Sequence, residues 1–283
     1  MHILVTGSSG TIGTRLCETL MSAGHTVSGI DWVPCKWQKS VDAVTTKIDM
    51  RDHAALDAYQ PTSTPDAMVH LAANARVYEL VEEPRRALDN FTTLFNALEL
   101  ARRLRVKRFV FASSREGYGN LQGVDSYSED LVRIENCESP YTASKVGGEA
   151  LVHAYRRCYG IDTVIIRFSN VYGMYDDSIR VVPLFIRLAR KNEPLKVFGK
   201  DKCLDFTYID DAIQGVTKIL EKFDAISGET INLAYGQGTT IVHLAERVKE
   251  LLGATSMLEI GEPRTGEVVP KRFCTAGLVR PAL

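Results

Sequence analysis

The chain reads as an α/β protein, a doubly wound parallel sheet with a smaller C-terminal lobe, and three observations predict this. A first strand, His2-Ile3-Leu4-Val5-Thr6, runs straight into the glycine turn Gly7-Ser8-Ser9-Gly10-Thr11-Ile12-Gly13. Apolar runs then alternate with amphipathic stretches as far as Phe168. Beyond it the elements shorten, punctuated by Pro183, Pro194, Gly199, Gly228, Gly236 and Gly238.

In chain order, residues 2–6, 26–30, 44–48, 66–71, 107–112 and 162–167 are short apolar runs, which predict strands. Helices are predicted near 11–23, 84–104 and 141–159, where amphipathic stretches separate some of those runs. Gly24 suits the end of the first helix, and Pro84 and Pro140 stand where the other two can begin. Strands alternating with helices in this way pair in parallel and are covered on both faces. The expected division is residues 1–168 for the nucleotide-binding half and 169–283 mainly for a substrate-binding lobe, with some later segments returning to the sheet. No linker separates the two, so a long shared cleft is expected.

At 283 residues, 45% hydrophobic and 24% charged, the chain has ordinary globular composition, which excludes disordered and fibrous classes. A formal net charge of -1 supplies no field to draw nucleic acid or an anionic membrane, and neither is an expected partner. No apolar run approaches the ~18 residues that span a bilayer, and the chain opens in a strand rather than a leader; a cytoplasmic location is expected. Six cysteines, Cys17, Cys35, Cys137, Cys158, Cys203 and Cys274, include no C-x-x-C pair, so reduced and mostly packed thiols are expected and no metal site.

In the glycine turn, Gly7 permits a tight strand-to-helix reversal, Gly10 lets the backbone approach a pyrophosphate, and Gly13 lets the helix pack on the strand. The helix N-terminus at Thr11, Ile12 and Gly13 then offers free N–H groups to the phosphates. Asp31 ends the second strand about 20 residues further on, where a carboxylate accepts from the adenosine ribose 2′-OH and repels a 2′-phosphate. NAD is therefore predicted over NADP.

A second constellation lies much later. Tyr141 and Lys145 stand four apart in Tyr141-Thr142-Ala143-Ser144-Lys145, which puts both on one helix face. A nearby ammonium and a positive nicotinamide ring would draw the phenol pKa down and make Tyr141 a base for a sugar hydroxyl. Ser114, just past the strand 107–112, would hydrogen-bond the same hydroxyl.

In this order and separation, the GxxGxxG turn, Ser114 and the YxxxK pair resemble the extended short-chain dehydrogenase/reductase family, and within it the nucleotide-sugar epimerases and dehydratases. The resemblance implies a Rossmann-type fold, tightly held NAD and a nucleotide-sugar substrate, most often a UDP-sugar. It further implies adenine contacts from Asp49 and Met50, a strand segment Leu71-Ala72-Ala73 under the cofactor, Asn90 bracing the site, and Lys145 holding the nicotinamide ribose. Asp49 could equally cap the following helix. His70, beside that strand segment, is assigned no chemistry. Arg167-Phe168-Ser169-Asn170-Val171-Tyr172-Gly173 resembles the R-x-x-N-x-Y-G segment whose asparagine touches the substrate phosphates, and Arg264-Thr265-Gly266-Glu267 a late diphosphate- and ribose-binding segment. Homodimerisation through a bundle of the helices at 84–104 and 141–159 is also implied. Apolar positions there, Phe91, Leu94, Phe95, Leu98, Leu151 and Ala154, could instead pack on the sheet.

The chain departs from the family pattern in three places. Leu204, in a segment otherwise similar to R-D-F-x-Y-V-x-D, replaces an arginine near the diphosphate; Lys200, Lys202 or Arg180 are candidates to compensate. The chain ends at Leu283 without the usual final helix. Glu116, two places after Ser114, is a residue that 4,6-dehydratases and UDP-glucuronate decarboxylases carry, whereas simple 4-epimerases have small residues there. The acid that usually precedes it is replaced by Arg115, whose guanidinium is a poor proton donor. An NAD-dependent 4-epimerase of the UDP-hexose type, passing through a transient 4-keto sugar, needs only Ser114, Tyr141, Lys145 and the cofactor, and is the favoured expectation. A dehydratase or decarboxylase using Glu116 is the alternative. A non-catalytic NAD-binding regulator on the same fold would usually lack the Tyr or the Lys, and both are present. Under the favoured expectation Glu116 either meets a substrate hydroxyl or pairs with Arg115 at the surface.

Overall fold

The structure is a computed structural model that describes residues 1–121, 126–265 and 273–274. Its first half runs β1 (His2–Thr6), α1 (Thr11–Ser22), β2 (Thr26–Asp31), α2 (Lys39–Ala43), β3 (Thr45–Lys47), α3 (His53–Ala58), β4 (Ala67–His70), α4 (Val77–Glu82), α5 (Arg85–Arg103) and β5 (Arg108–Ser114). After the short β6 (Ser126–Tyr127) come α6 (Pro140–Tyr159), β7 (Asp162–Phe168), β8 (Asn170–Tyr172), α7 (Val181–Ala189), β9 (Leu195–Phe198) and β10 (Cys203–Tyr208). The chain continues through α8 (Ile209–Glu221), β11 (Thr230–Leu233), β12 (Gly238–Thr240), α9 (Ile241–Leu252), β13 (Leu258–Gly261) and β14 (Phe273–Cys274).

Seven strands form one parallel sheet in the order β11-β7-β5-β4-β1-β2-β3. The winding direction reverses between β1 and β4, and in such sheets the ligand crevice opens beyond the carboxyl ends of the strands at that point. The six predicted strands are all in this sheet; the seventh, β11, comes back from the far end of the chain to pair with β7.

The sheet is buried on both faces because successive strand residues alternate sides. Ile3, Val5, Val69, Val110 and Ile166 face one layer with Leu16 and Leu20 of α1 and Ile213 and Val216 of α8. Leu4, Met68, Phe109, Phe111 and Ile165 face the other, where α5 and α6 contribute Leu94, Leu98, Val152 and Tyr155. Of the apolar positions left open on α5 and α6, Leu94 and Leu98 thus belong to the core, while Phe95 and Ala154 are exposed. A separate core of Phe185, Leu195, Val197, Leu204, Ile241 and Val248 joins α7, β9, β10 and α9. Leu204 is therefore a packing residue. A small sheet, β12-β10-β8, lies next to it, with β8 directly after the end of β7.

Candidate functional site

The glycine turn sits where the winding reverses. Gly7 has φ +76, and a Cβ there would come within 2.8 Å of the Ala72 backbone nitrogen; one on Gly13 would lie 2.0 Å from the Gly7 carbonyl oxygen. Only glycines let β1, α1 and the end of β4 approach this closely. Gly10 caps α1 with no side-chain bond to its first turn, so the N–H groups there are free for an anion. Asp31 is buried; its carboxylate accepts from Ser9 N at 2.9 Å and Val33 N at 3.2 Å. Burial raises its pKa, against the lowering effect of those backbone donors. Free N–H groups at the start of α1 beside a buried carboxylate on the next strand fit a dinucleotide without a 2′-phosphate.

Around this turn the other expected contacts divide. Met50 is buried and its carbonyl accepts from Asn96 Nδ2 at 2.8 Å. Asp49 is paired with Arg51 at 2.7 Å, which lowers its pKa, and the cap of α3 is Asp52, which accepts from Ala55 N. The helix cap therefore falls three residues later than Asp49. His70 is fully enclosed, bonded to Thr6 Oγ1 at 2.7 Å and stacked on Phe109 and Phe111, and burial drives its pKa down to about 3. It is a neutral packing group. Asn90 accepts from Asn74 N at 2.7 Å and donates to Ser144 Oγ at 3.1 Å, tying α5 to α6 one residue before Lys145.

Ser114, at the carboxyl end of β5, lines the same cleft as Tyr141, where its side chain opposes the rise of the phenol pKa, and its Oγ accepts from Glu116 N at 3.2 Å. Ser139 caps α6 and Pro140 occupies its first turn, which fixes where Tyr141 emerges. Lys145 Nζ donates to the Ala112 carbonyl at 2.8 Å and lies over the Phe111 and Tyr141 rings at 5.2 and 5.9 Å. Burial raises the Tyr141 pKa; the charges that oppose it are Arg180 and Arg115, while Glu116 adds to it. The expected depression by Lys145 is not found, because that ammonium is turned to a carbonyl and is itself buried, with its pKa down to about 8.

Ser114 and Tyr141 open on a cleft of about 320 Å³ between the sheet's end and the segments that follow. Asn170, Arg180, Lys202 and Arg264 line it, as do Arg115 and Glu116; of the candidates to replace an arginine at Leu204, Arg180 and Lys202 stand in its wall and Lys200 does not. Asn170 Nδ2 donates to the Asp205 carbonyl at 3.0 Å. Arg264 stacks on Phe198 at 4.0 Å and Tyr78 at 5.0 Å. Glu267 lies outside the described residues.

Glu116 does pair with Arg115, at 2.6 Å, but the pair is buried, with side-chain exposures of 11% and 8%, and not at the surface as expected. Its second oxygen, Oε2, is enclosed and has no hydrogen-bond partner among the described residues. Two further features escaped the sequence reading. Glu149 is a buried carboxylate shared by Ser113 and Arg167, and the four-residue step from Lys145 was its available signal. The segment around Tyr175 crosses to the glycine turn: Thr11 Oγ1 donates to the Tyr175 carbonyl at 3.1 Å and the Tyr175 hydroxyl to Glu18 at 3.0 Å. Nothing in a local pattern signals such a crossing.

A reversal-point glycine turn, a buried acid on the next strand and a Ser–Tyr–Lys set are the combination found in Rossmann-fold oxidoreductases that keep a dinucleotide beside the substrate. A model of the NAD dependent epimerase/dehydratase family matches residues 3–234, and the chain belongs to that family. It is 32% identical over 273 residues to a UDP-glucuronate 4-epimerase of Thermodesulfobacterium geofontis, covering 91% of this chain and 83% of the relative. Among solved structures it resembles a UDP-glucose 4-epimerase of Thermotoga maritima with UDP-glucose, with TM-score 0.87 and 28% identity over 96% of this chain and 89% of that one. It equally resembles the dTDP-glucose 4,6-dehydratase DesIV of Streptomyces venezuelae with NAD bound, with TM-score 0.87 and 25% identity over 98% and 88% of the two chains. The protein is thus an NAD-dependent enzyme of the epimerase/dehydratase family. No helix among its described residues is long and apolar enough to cross a membrane.

Proposed function

We propose that the protein is a nucleotide-sugar 4-epimerase of the UDP-hexose type. One observation carries this: Ser114 and Tyr141 stand together in the cleft wall with Lys145 Nζ over the Tyr141 ring, while the slot for an eliminating acid holds Arg115 in an ion pair. Tyr141 takes the proton of the sugar C4 hydroxyl, with Ser114 orienting that hydroxyl and Arg180 and Arg115 favouring the phenolate. Held beside Tyr141 and Lys145, NAD would supply a reversible hydride acceptor for C4 that is regenerated in each turnover. The 4-keto sugar turns over in the cleft before reduction, and Tyr141 gives back its proton to the new C4 oxygen. The chemistry is balanced without an external reductant.

In this reading Gly7, Gly10, Thr11, Ile12 and Gly13 hold the cofactor pyrophosphate, Asp31 its adenosine ribose, and Lys145 its nicotinamide ribose. Asp49, Met50, Leu71, Ala72 and Ala73 form the rest of its bed, with Asn90 as brace. Asn170, Arg180 and Arg264 receive the nucleotide-sugar diphosphate. We also assign residues 1–168 to cofactor and 169–283 mainly to substrate, and propose a homodimer through α5 and α6.

The second reading, a dehydratase or decarboxylase, draws on the unpartnered Oε2 of Glu116 in the cleft wall. Product mass after incubation with NAD and UDP-glucose, UDP-galactose, UDP-N-acetylglucosamine, UDP-glucuronate or dTDP-glucose separates the two. Unchanged mass with altered retention is the expected result; loss of water or carbon dioxide overturns it in favour of Glu116 as a proton-transfer group.

A further inference from the structure

Two consecutive residues at the end of β5 are each held by one residue of α6, and the next shares the cleft wall with a third. The Ala112 carbonyl accepts from Lys145 Nζ at 2.8 Å, Ser113 Oγ donates to Glu149 Oε1 at 2.5 Å, and Ser114 lines the cleft beside Tyr141. Tyr141, Lys145 and Glu149 follow one another at four-residue steps and therefore share a helix face. Glu149 is only 6% exposed. Both its oxygens are engaged by Arg167, through Nε at 2.9 Å and Nη2 at 2.7 Å, and Arg167 stands directly opposite Ser113 in the β5–β7 register. The guanidinium is completed by the Glu129 carbonyl at 2.7 Å and the Tyr118 hydroxyl at 3.1 Å.

We propose that Glu149 is a positioning residue: it keeps the Lys145 ammonium charged and pins the Ser113–Ser114 end of β5 against Tyr141. A buried ion pair is weak evidence for stability, because desolvation offsets its attraction. Here the pair has a chemical use. Lys145 is enclosed by Phe111, Tyr141 and the β5 backbone, and an enclosed ammonium tends to discharge. Burial takes its pKa down to about 8, and the Glu149 carboxylate is the charge that resists this. The other titratable groups around Lys145 are Tyr141 on its own helix and His70 on β4, which burial holds neutral, with Arg167 on β7 on the far side of Glu149. The inference rests on Lys145 belonging to the site, as proposed above, but not on which sugar is processed.

Its test needs no substrate. In protein labelled with ¹³C-lysine, the Cε signal of Lys145, assigned with Lys145→Arg, is titrated by NMR. The wild-type midpoint is expected near the value of about 8, and Glu149→Gln is expected to move it to lower pH by about one unit or more. Glu149→Asp, which keeps the charge, should leave it near the wild-type value. An unmoved midpoint in Glu149→Gln overturns the proposal. Should Glu149→Gln not fold because Arg167 is left unpaired, the same displacement is required of the neutral double variant E149Q/R167Q. In the enzyme assay the pH at which kcat/KM stops rising should move with the Lys145 midpoint, whereas a purely structural defect lowers the rate equally at all pH values. Wild-type product analysis reports separately on the 4-epimerase reading.

Discussion

At the scale of single residues, burial pushes both partners of the YxxxK pair toward neutrality: the Tyr141 phenol rises and the Lys145 ammonium falls to about 8. A phenolate beside an ammonium is therefore not the resting state of the site. Loss of a proton from Tyr141 helps catalysis and loss of one from Lys145 harms it, so kcat/KM should climb with pH and stop climbing at about 8, where the two ionisations offset each other. A profile still rising well beyond that turning point would remove the Lys145 charge from the mechanism. Tyr141→Phe should cost roughly 10²–10⁴-fold in turnover, the usual size of a general-base contribution, while NAD binding measured by calorimetry is retained. Comparable turnover in that variant would mean another group takes the proton. Spacing singled out Tyr141 and Lys145 as candidates, and the family pattern added Ser114. It did not give the direction of the Tyr141 shift, which depends on the neighbours that enclose the ring, nor the burial of the Arg115–Glu116 pair, which depends on the 3₁₀ turn following β5.

At the scale of elements, α6 carries Tyr141 and Lys145, and its ends are set by local chemistry. Ser139 Oγ accepts from Thr142 N at 3.2 Å at its start, Pro140 follows, and Gly160 at its end takes a left-handed φ of 66. Ser139→Ala should lower stability by about 1 kcal/mol, visible as a drop in the urea midpoint at constant slope; an unchanged midpoint would mean that packing on β5 alone fixes the helix start. Of these signals the sequence reading used Pro140, a short-range pattern, and the six strands that alternate with helices were legible in the same way. Some later segment was expected to return to the sheet, but β11 was not identified as that segment: its four residues reach the sheet only through pairing with β7, 65 positions earlier (Thr230 opposite Ile165). The apolar residues of α5 were likewise ambiguous until the helix was docked, since Leu94 and Phe95 are equally hydrophobic and only one faces the sheet.

At the scale of the whole molecule, α5 and α6 bury one side on the sheet and carry large apolar groups on the other. Leu88 is 62% exposed, Phe95 44% and Tyr159 54%. The exposed Phe95 and Tyr159 are connected through the buried Tyr155, with Phe95 edge-on to it at 6.5 Å and Tyr159 against it at 4.8 Å. Clustered apolar groups of this kind on the surface mark an association site more often than scattered ones do. If the proposed homodimer forms across this face with two-fold symmetry, each substitution is present twice and near its own copy. Phe95→Glu then places two carboxylates in an apolar contact, where desolvation and repulsion act together. Light scattering should show the wild type as a dimer and this variant as a monomer, with a melting temperature close to the wild type's as far as the monomer fold decides it, since Phe95 lies outside the core. A monomeric wild type would remove the dimer proposal altogether. A Phe95→Glu protein that stays dimeric would place the contact on another face and leave the exposed edge of α5 unexplained by self-association.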